Sequence, residues 1–230
     1  MFDPLHSVSE SATLTSREYH SHPGYQSHDV RPTMNPSADS DAPTSVRRAG
    51  PSERRTRAID AFLDLVLEHG APPRPEAVAE RAGVSLATLY RYFATLEELR
   101  HEAAARVLDR FPELFAVPDI GSGNRAQRIA RFAAARLALH ETLHPLELLV
   151  RSTTATDPAA AEFVDVARRA LADQVRLHFD DELRPLTPAR RDDTVAAIAA
   201  LTSIESWDQF RHSQRRSSAQ TRRAWVDALD

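Results

Sequence analysis

The sequence predicts an all-α fold, and three observations support this prediction. After about residue 50, apolar residues recur three and four positions apart, as they do on the buried face of an amphipathic helix. No segment alternates apolar and polar residues in the manner of a half-buried strand. Caps, glycines and prolines separate the apolar repeats, so each predicted helix has its own start and end. We therefore expect a small helical domain at 51–116 and a larger helical domain at 122–230.

The composition is compatible with one or two globular domains. The chain has 230 residues, 42% of them hydrophobic and 27% charged, and it has no cysteine for disulfide or thiol chemistry. Its longest uncharged apolar stretch, 194–204, is too short to cross a bilayer, and its first residues lack the features of a signal peptide. We therefore expect a cytoplasmic protein without a membrane partner. The net charge of −4 argues against polyanion binding by the whole surface but leaves a local basic patch open.

Residues 1–50 are predicted to be a disordered N-terminal extension, because their few apolar residues show no period and could not offset the entropy of ordering. Met34 within this extension is a second possible translation start. A basic cluster follows and runs into the first predicted helix, where it is either a DNA-contacting arm or a solvated charge run. The cluster consists of Arg47, Arg48, Arg54, Arg55 and Arg57.

The first helix is predicted from about Ser52 to His69. Its apolar residues lie on one stripe, and Gly70 is suited to end it in the left-handed conformation. The stripe consists of Ile59, Phe62, Leu63, Val66 and Leu67.

Two short helices and a third one are predicted between residues 75 and 99. Pro75 suits a first helical position, and Gly83 supplies the left-handed residue that ends the first helix. Ser85 caps the second helix, which runs to about Phe93. Thr95 followed by Glu98 is a capping box that opens the third helix. Two helices joined by a glycine turn are typical of a helix-turn-helix, whose second helix enters the major groove of DNA.

The run AERAGVSLATLYRYF resembles the DNA-binding signature of TetR (tetracycline-repressor-like) transcriptional regulators, and the resemblance covers about residues 54–100. It implies a helix-turn-helix domain followed by a helical effector-binding and dimerisation domain. It further implies a homodimer that binds a palindromic double-stranded DNA operator, is released by a small-molecule effector and needs no cofactor. Leu96 departs from the pattern, since the family commonly has a lysine there that contacts a phosphate.

The resemblance assigns DNA contacts to the second short helix and its surroundings. Leu86 and Ala87 would face base edges, although neither can form bidentate hydrogen bonds with a base. Thr88 and Tyr90 would lie at bases or phosphates, and Arg91 and Tyr92 would hold the DNA backbone. The complete set of expected DNA contacts is Arg54, Arg55, Arg74, Ser85, Leu86, Ala87, Thr88, Tyr90, Arg91 and Tyr92.

The rest of the chain is predicted to be a succession of helices after a Pro/Gly-containing link at 117–123. Asn124 and Asp157 cap two of them, and Pro145 is predicted to open a separate short helix. Thr187 opens a long helix that continues to Phe210. The last helix begins with a capping box, which consists of Ser217 and Gln220.

Two further sets of residues are assigned by position in the second domain. The apolar residues expected to line an effector pocket, unless they are plain core, are Phe132, Leu137, Phe163, Val166 and Phe179. An aromatic face on the terminal helices is the expected dimer interface, and it consists of Leu201, Ile204, Trp207, Phe210 and Trp225. Trp207 could equally belong to the core of its own chain.

One motif suggests an enzyme instead. His140, Glu141 and His144 fit the H-E-x-x-H pattern of zinc hydrolases. The pattern specifies only three residues, and Pro145 should end the helix that would carry the second ligand, so we expect neither a metal nor catalysis. A zinc metallohydrolase and a ligand-independent DNA-binding protein are the alternatives to an effector-controlled regulator.

Overall fold

The computed structural model describes residues 50–230, which are helical and contain no strand. The predicted extension, apart from Gly50, lies outside the described residues, as do Arg47 and Arg48. The helices are α1 (Pro51–His69), α2 (Pro75–Ala82), α3 (Leu86–Tyr92), α4 (Leu96–Arg110), α5 (Arg125–Thr153), α6 (Pro158–His178), α7 (Asp180–Leu183), α8 (Pro188–Leu201), α9 (Ile204–Asp208) and α10 (Ser218–Leu229). A 3₁₀ turn at Pro112–Phe115 follows α4, and a π-helical turn at Gln209–Ser213 follows α9. Among the helices of this part of the chain, none combines the length and apolarity that a membrane crossing needs.

Local sequence signals account for most helix ends. Gly70 and Gly83 end α1 and α2 with φ of 65° and 66°, the left-handed conformation that glycine adopts without strain. The side chains of Asn124, Asp157 and Ser217 accept hydrogen bonds from the first turns of α5, α6 and α10. These boundaries agree with the predicted ones.

A large core cluster joins the first four helices to the second half of α5. Phe62 of α1, Leu89 of α3 and Leu99 of α4 are buried in it together with Leu143 and Val150 of α5. The N-terminal helices therefore share a core with the following domain, and the position of α3 depends on α5 as well as on α1 and α2.

Two smaller clusters complete the interior. One surrounds Phe132 and Phe179, whose ring centroids are 5.2 Å apart, and includes Val195 of α8. The other brings Trp207 and Trp225 against Leu137 of α5. Helix α5 contributes to all three clusters, so it is the central helix of the described fold.

The predicted break at Pro145 is wrong, because α5 continues through this residue to Thr153. Proline in a helix interior costs about 3 kcal/mol, since it removes one backbone hydrogen bond and crowds the preceding turn. Leu143, Leu146 and Val150 lie on the buried side of α5 around the proline. Burial of each such side chain is worth roughly 1.5–3 kcal/mol, so the three together outweigh the cost of the proline.

The predicted long helix from Thr187 to Phe210 is also interrupted. Helix α8 ends at Leu201, where the Thr202 hydroxyl donates to the Ile198 carbonyl at 2.8 Å. The Ser203 hydroxyl then accepts from the Ser206 amide at 3.3 Å and caps α9. Hydroxyl side chains compete with helical backbone bonds in this way, and the bend turns Trp207 into the core.

Candidate nucleic-acid interface

Helix α3 is fixed from behind by packing and at its start by a cap. Leu89 and the following Phe93 are 1% and 2% exposed in the core formed with α1, α2 and α4. The Ser85 hydroxyl accepts from the Thr88 amide at 3.1 Å, and the two hydroxyls are 2.9 Å apart. A helix of seven residues is thus held in one orientation.

The opposite face of α3 is open to solvent. Ala87, Tyr90 and Arg91 are exposed, and residues three and four apart lie on the same face of a helix. Tyr90 has 47% of its surface exposed. The Arg91 guanidinium lies 5.6 Å from the centroid of the Tyr92 ring. A hydroxyl-bearing aromatic and a cation on one rigid face are suited to contact a nucleic-acid backbone and groove.

Leu86 and Tyr92 occupy the edge of this face. Both are half-buried and pack against the core, and Tyr92 meets Phe93 edge to face at 6.5 Å between ring centroids. Part of each side chain therefore stabilises the domain. Leu86, which is expected to face base edges, is thus also in contact with the core.

The other expected DNA contacts lie at helix starts. Arg74 and Ser85 precede α2 and α3 and are exposed, whereas Arg54 in the first turn of α1 is half-buried. Arg55 makes an ion pair with Glu102 of α4, and its guanidinium lies 4.8 Å from the centroid of the Phe93 ring. These contacts assign a structural role to Arg55, which the sequence alone did not suggest.

An arginine missed by the sequence analysis connects α2 to α1. Arg81 donates from two nitrogens to the two carboxylate oxygens of Glu68, at 2.8 and 2.7 Å. The hydrogen bonds from Arg81 lower the pKa of Glu68. This paired geometry links α2 to α1, and α3 follows α2 after only three residues.

A polar cluster connects α4 to the start of α6. Asp157 Oδ2 lies 2.7 Å from Arg100 Nη2 and 2.6 Å from His101 Nε2. Its Oδ1 accepts from the amides of Ala159 and Ala160, both at 3.1 Å. The His101 hydrogen bond above all, with those from Ala160 and Arg100, holds the pKa of Asp157 far below its usual range. The cap at Asp157 was predicted, but its ion pairs 56 and 57 residues away were not.

The sequence profile of the tetR family of bacterial regulatory proteins matches residues 75–103, which span α2, α3 and the first half of α4. Over this segment the chain is similar to TetR-family regulators. It is 34% identical over 116 residues to the HTH-type transcriptional repressor KstR of Mycolicibacterium smegmatis, covering 49% of this chain and 56% of that protein. It is 30% identical over 122 residues to KstR of Mycobacterium tuberculosis, covering 52% and 55%. The chain thus matches about half the length of these curated relatives.

Solved structures share the fold of most of this chain. A tetR-family transcriptional regulator from Streptomyces coelicolor superposes with a TM-score of 0.66 at 24% identity, over 79% of this chain and 80% of the other. A transcriptional regulator from Rhodococcus sp. Rha1 gives a TM-score of 0.57 at 20% identity, over 76% and 93%. At these identities the likeness concerns the fold: an N-terminal helix-turn-helix followed by a helical domain.

The residues expected to line an effector pocket are dispersed in this TetR-type fold. Phe132 and Phe179 pack against each other in one core cluster, Leu137 lies in another, and Phe163 packs against the large cluster that includes the N-terminal helices. Val166 is 37% exposed. The five residues therefore do not converge on one cavity of the described structure.

The region around Phe132 is filled by a buried arginine. Arg136 is 2% exposed and lies 4.6 Å from the centroid of the Phe132 ring. It donates to the Gln174 side chain at 2.8 Å and to the Leu171 carbonyl at 3.0 Å. Burial lowers the pKa of Arg136 to about 10, because the charged guanidinium loses its hydration.

The aromatic residues expected at a dimer interface are mostly core. Trp207 and Trp225 are 2% and 0% exposed in a single protomer, and Ile204 is also buried. Leu201 and Phe210 are half-buried at the edge of the same cluster. The expectation of a broad exposed aromatic face is wrong for the three buried residues, because α5 and α10 of the same chain already cover them.

Two residues of the H-E-x-x-H motif, His140 and Glu141, make other contacts. His140 Nδ1 lies 3.0 Å from Glu147 Oε2, and its Nε2 lies 3.0 Å from the Thr202 carbonyl. Glu141 accepts a hydrogen bond from Ser218. The prediction that Pro145 ends this helix was wrong, but the contacts of His140 still leave no nitrogen free for a metal.

Proposed function

We propose that the protein is a DNA-binding transcriptional repressor that acts as a homodimer on a palindromic operator and is released by a small-molecule effector. The observation that carries this proposal is the exposed face of Ala87, Tyr90 and Arg91 on a rigidly held α3. The similarity to KstR repressors supports it, and so does the tetR family profile, which matches this helix-turn-helix. The place of action in this proposal is the cytoplasm, and no catalytic step is part of it.

Some of the proposed DNA contacts contribute to affinity, and others contribute to sequence specificity. Arg91 would bind phosphate, since it stands at the end of α3 beside the Tyr92 ring. Ala87 and the exposed part of Leu86 offer only apolar contact, so they would read features such as thymine methyl groups. Arg74 and Ser85, both exposed, are the polar groups available at the starts of α2 and α3.

Dimerisation is part of the proposal because a palindrome is matched by two-fold symmetric protein. The half-buried Leu201 and Phe210 remain the proposed interface residues of the original set, since they are not enclosed by their own chain. Sedimentation equilibrium tests this step. A chain that remains monomeric at micromolar concentration, with or without DNA, would exclude the dimer.

The test of DNA binding uses fluorescence anisotropy with the intergenic DNA beside the protein's own gene and with a scrambled duplex of the same length. We expect tight, saturable binding to an inverted repeat in that DNA and weak binding to the scrambled duplex. Tyr90→Ala should reduce operator binding, whereas Arg222→Ala on the exposed surface of α10 is the control and should not. Equal binding of both duplexes by the wild type would contradict the proposal.

The alternative of ligand-independent DNA binding is separated by a release assay. A preformed operator complex is titrated with extracted small molecules from the producing cells. Release by a fraction of the extract supports an effector-controlled repressor. A complex that no fraction dissociates favours the ligand-independent alternative.

A further inference from the structure

A cavity of about 540 Å³ lies between the middle of α5, the π-helical turn and the start of α10. This volume is within the range of sites for small organic molecules. None of the residues expected from the sequence to form an effector pocket lines it. Its walls come instead from His144 of α5, Trp207 of α9 and the segment around Arg215.

The walls carry an excess of positive charge. Arg211, Arg215 and Arg216 line the cavity, and Glu141 is the one carboxylate on its walls. Glu141 accepts from Ser218 and lies 3.8 Å from Arg211 Nε. Among residues 50–230, neither Arg215 nor Arg216 has a carboxylate within 4.0 Å of its guanidinium. The N-terminus of the twelve-residue α10 also lies at the cavity, and its helix dipole favours an anion there as well.

Three neighbouring side chains of this cavity have buried nitrogens without a hydrogen-bond partner in the described structure. They are Nε1 of Trp207, Nδ1 of His144 and Nε of Arg211. Trp207 is only 2% exposed, so water outside the protein cannot satisfy its N–H. Buried polar atoms without partners cost free energy, and these three belong to residues that line the cavity.

Aromatic rings form the inner wall. The ring centroids of His144 and Trp207 are 4.8 Å apart, and the Trp207 and His212 rings meet edge to face at 5.5 Å. Flat apolar surfaces of this kind suit an aromatic or other planar group of a ligand. The inner wall is therefore aromatic, while the outer wall, formed by the exposed Arg215 and Arg216, is cationic.

The backbone beside the cavity has two unusual conformations. Gln209–Ser213 is a π-helical turn, and Arg215 has a φ of 54°, in the left-handed region that side chains other than glycine rarely adopt. Both features are found frequently at functional sites. Here they connect α9 to α10 through the segment that supplies the three cavity arginines.

We infer that this cavity binds a small organic anion with a flat apolar body. The anionic group lies between the α10 N-terminus and the guanidinium groups of Arg215 and Arg216, and the body lies against Trp207 and His144. The assignment of this anion as the effector rests on the proposed function; the binding site itself does not.

Isothermal titration calorimetry on the full-length protein without DNA tests the site with 2-naphthoate as the probe. Two comparison compounds separate the requirements: acetate has the charge without the flat body, and 2-naphthalenemethanol has the flat body without the charge. We expect 2-naphthoate to bind once per protomer and roughly tenfold more tightly than either, because it alone makes both the ionic and the aromatic contacts. Equal affinity for acetate or for the alcohol would overturn the inference.

Two matched variants locate the binding. Arg216→Gln should weaken 2-naphthoate binding roughly tenfold, since it removes a charge from the cavity. Arg222→Gln removes the same charge from an exposed position of α10 outside the cavity and should leave the affinity unchanged. Equal losses in both variants would show only a general charge effect and would refute the site. Circular dichroism melting of each variant shows whether it remains folded.

The calorimetric test of the cavity does not depend on the proposed repressor function. Binding of 2-naphthoate is measured without DNA and tests the cavity alone, whereas operator binding by the unliganded protein tests the proposed function alone. If the protein binds 2-naphthoate but no DNA, the cavity inference holds and the repressor proposal fails. If it binds the operator but no 2-naphthoate, the cavity inference fails.

Discussion

Arg55 and Arg91 are both expected DNA contacts from the sequence, but the structure gives them different surroundings. Arg91 is exposed on α3, with Tyr92 as its neighbouring ring. Arg55 pairs with Glu102 and lies over Phe93, so it joins α1 to α4 and to the end of α3. We therefore predict that Arg91→Ala affects DNA affinity and that Arg55→Ala affects stability.

The two effects have calculable sizes. Loss of one phosphate contact lowers the slope of log K against log salt by roughly 0.9, so Arg91→Ala in a dimer should lower it by about 1.8. The ratio of operator to random-DNA affinity should stay nearly constant, because a phosphate contact reads no base. Arg55→Ala should reduce the free energy of unfolding by about 1 kcal/mol, the sum of a partly exposed ion pair and a cation–π contact.

Each variant serves as the control for the other. Binding isotherms at several salt concentrations give the slope, and urea unfolding gives the free energy of unfolding. The reasoning is refuted if Arg91→Ala abolishes discrimination at an unchanged slope, since Arg91 would then read a base. It is also refuted if Arg55→Ala lowers the salt slope as Arg91→Ala does without loss of stability, since Arg55 would then be a phosphate contact.

Three further predictions concern stability. The stability advantage of the wild type over His178→Gln should shrink as the pH falls from 7 to 5. Burial lowers the pKa of His178, whose Nε2 lies 2.9 Å from the Arg128 carbonyl and whose Nδ1 accepts from Gly121. The histidine of the unfolded chain therefore takes up a proton first as the pH falls. A stability advantage that does not change with pH would contradict this. Asp157→Asn should destabilise the protein at pH 7, and the difference should shrink progressively as the pH falls below about 4, because the unfolded carboxyl then takes up a proton while the folded one, with its lowered pKa, is still ionised; a difference that stays constant on acidification would assign the effect to lost packing. Gly83→Ala should lower the free energy of unfolding by about 1 kcal/mol, because the φ of 66° is strained for alanine. A clash is not the reason, since a Cβ at this position meets no atom within 4 Å. An unchanged stability in thermal or urea unfolding would show that the turn relaxes.

Local chemistry in the sequence was sufficient for the helical fold and for most helix boundaries. The left-handed glycines at 70 and 83 and the caps at Ser85, Asn124 and Ser217 act within a few residues of their own positions. Their effects can therefore be predicted without knowing which helices meet. The same holds for the exposed face of α3, because Ala87, Tyr90 and Arg91 share a face through helical periodicity alone.

Contacts between residues far apart in the sequence determined two features that local sequence signals did not predict. Pro145 stays inside α5 because the buried residues on both sides of it outweigh a lost backbone bond, and that burial depends on helices far away in the chain. Trp207 and Trp225 are core residues because α5 of the same protomer covers them.

The roles of charged residues were also set by tertiary structure. Arg55 and Arg91 have the same side chain, and only the position of Glu102, 47 residues after Arg55, separates an interhelical ion pair from an exposed cation. The anion cavity likewise combines His144 with arginines about 70 residues later, at a bend that the periodic pattern did not show. Helical periodicity determines which residues share a face, but the energy of a buried or paired charge depends on what the folded chain places opposite it.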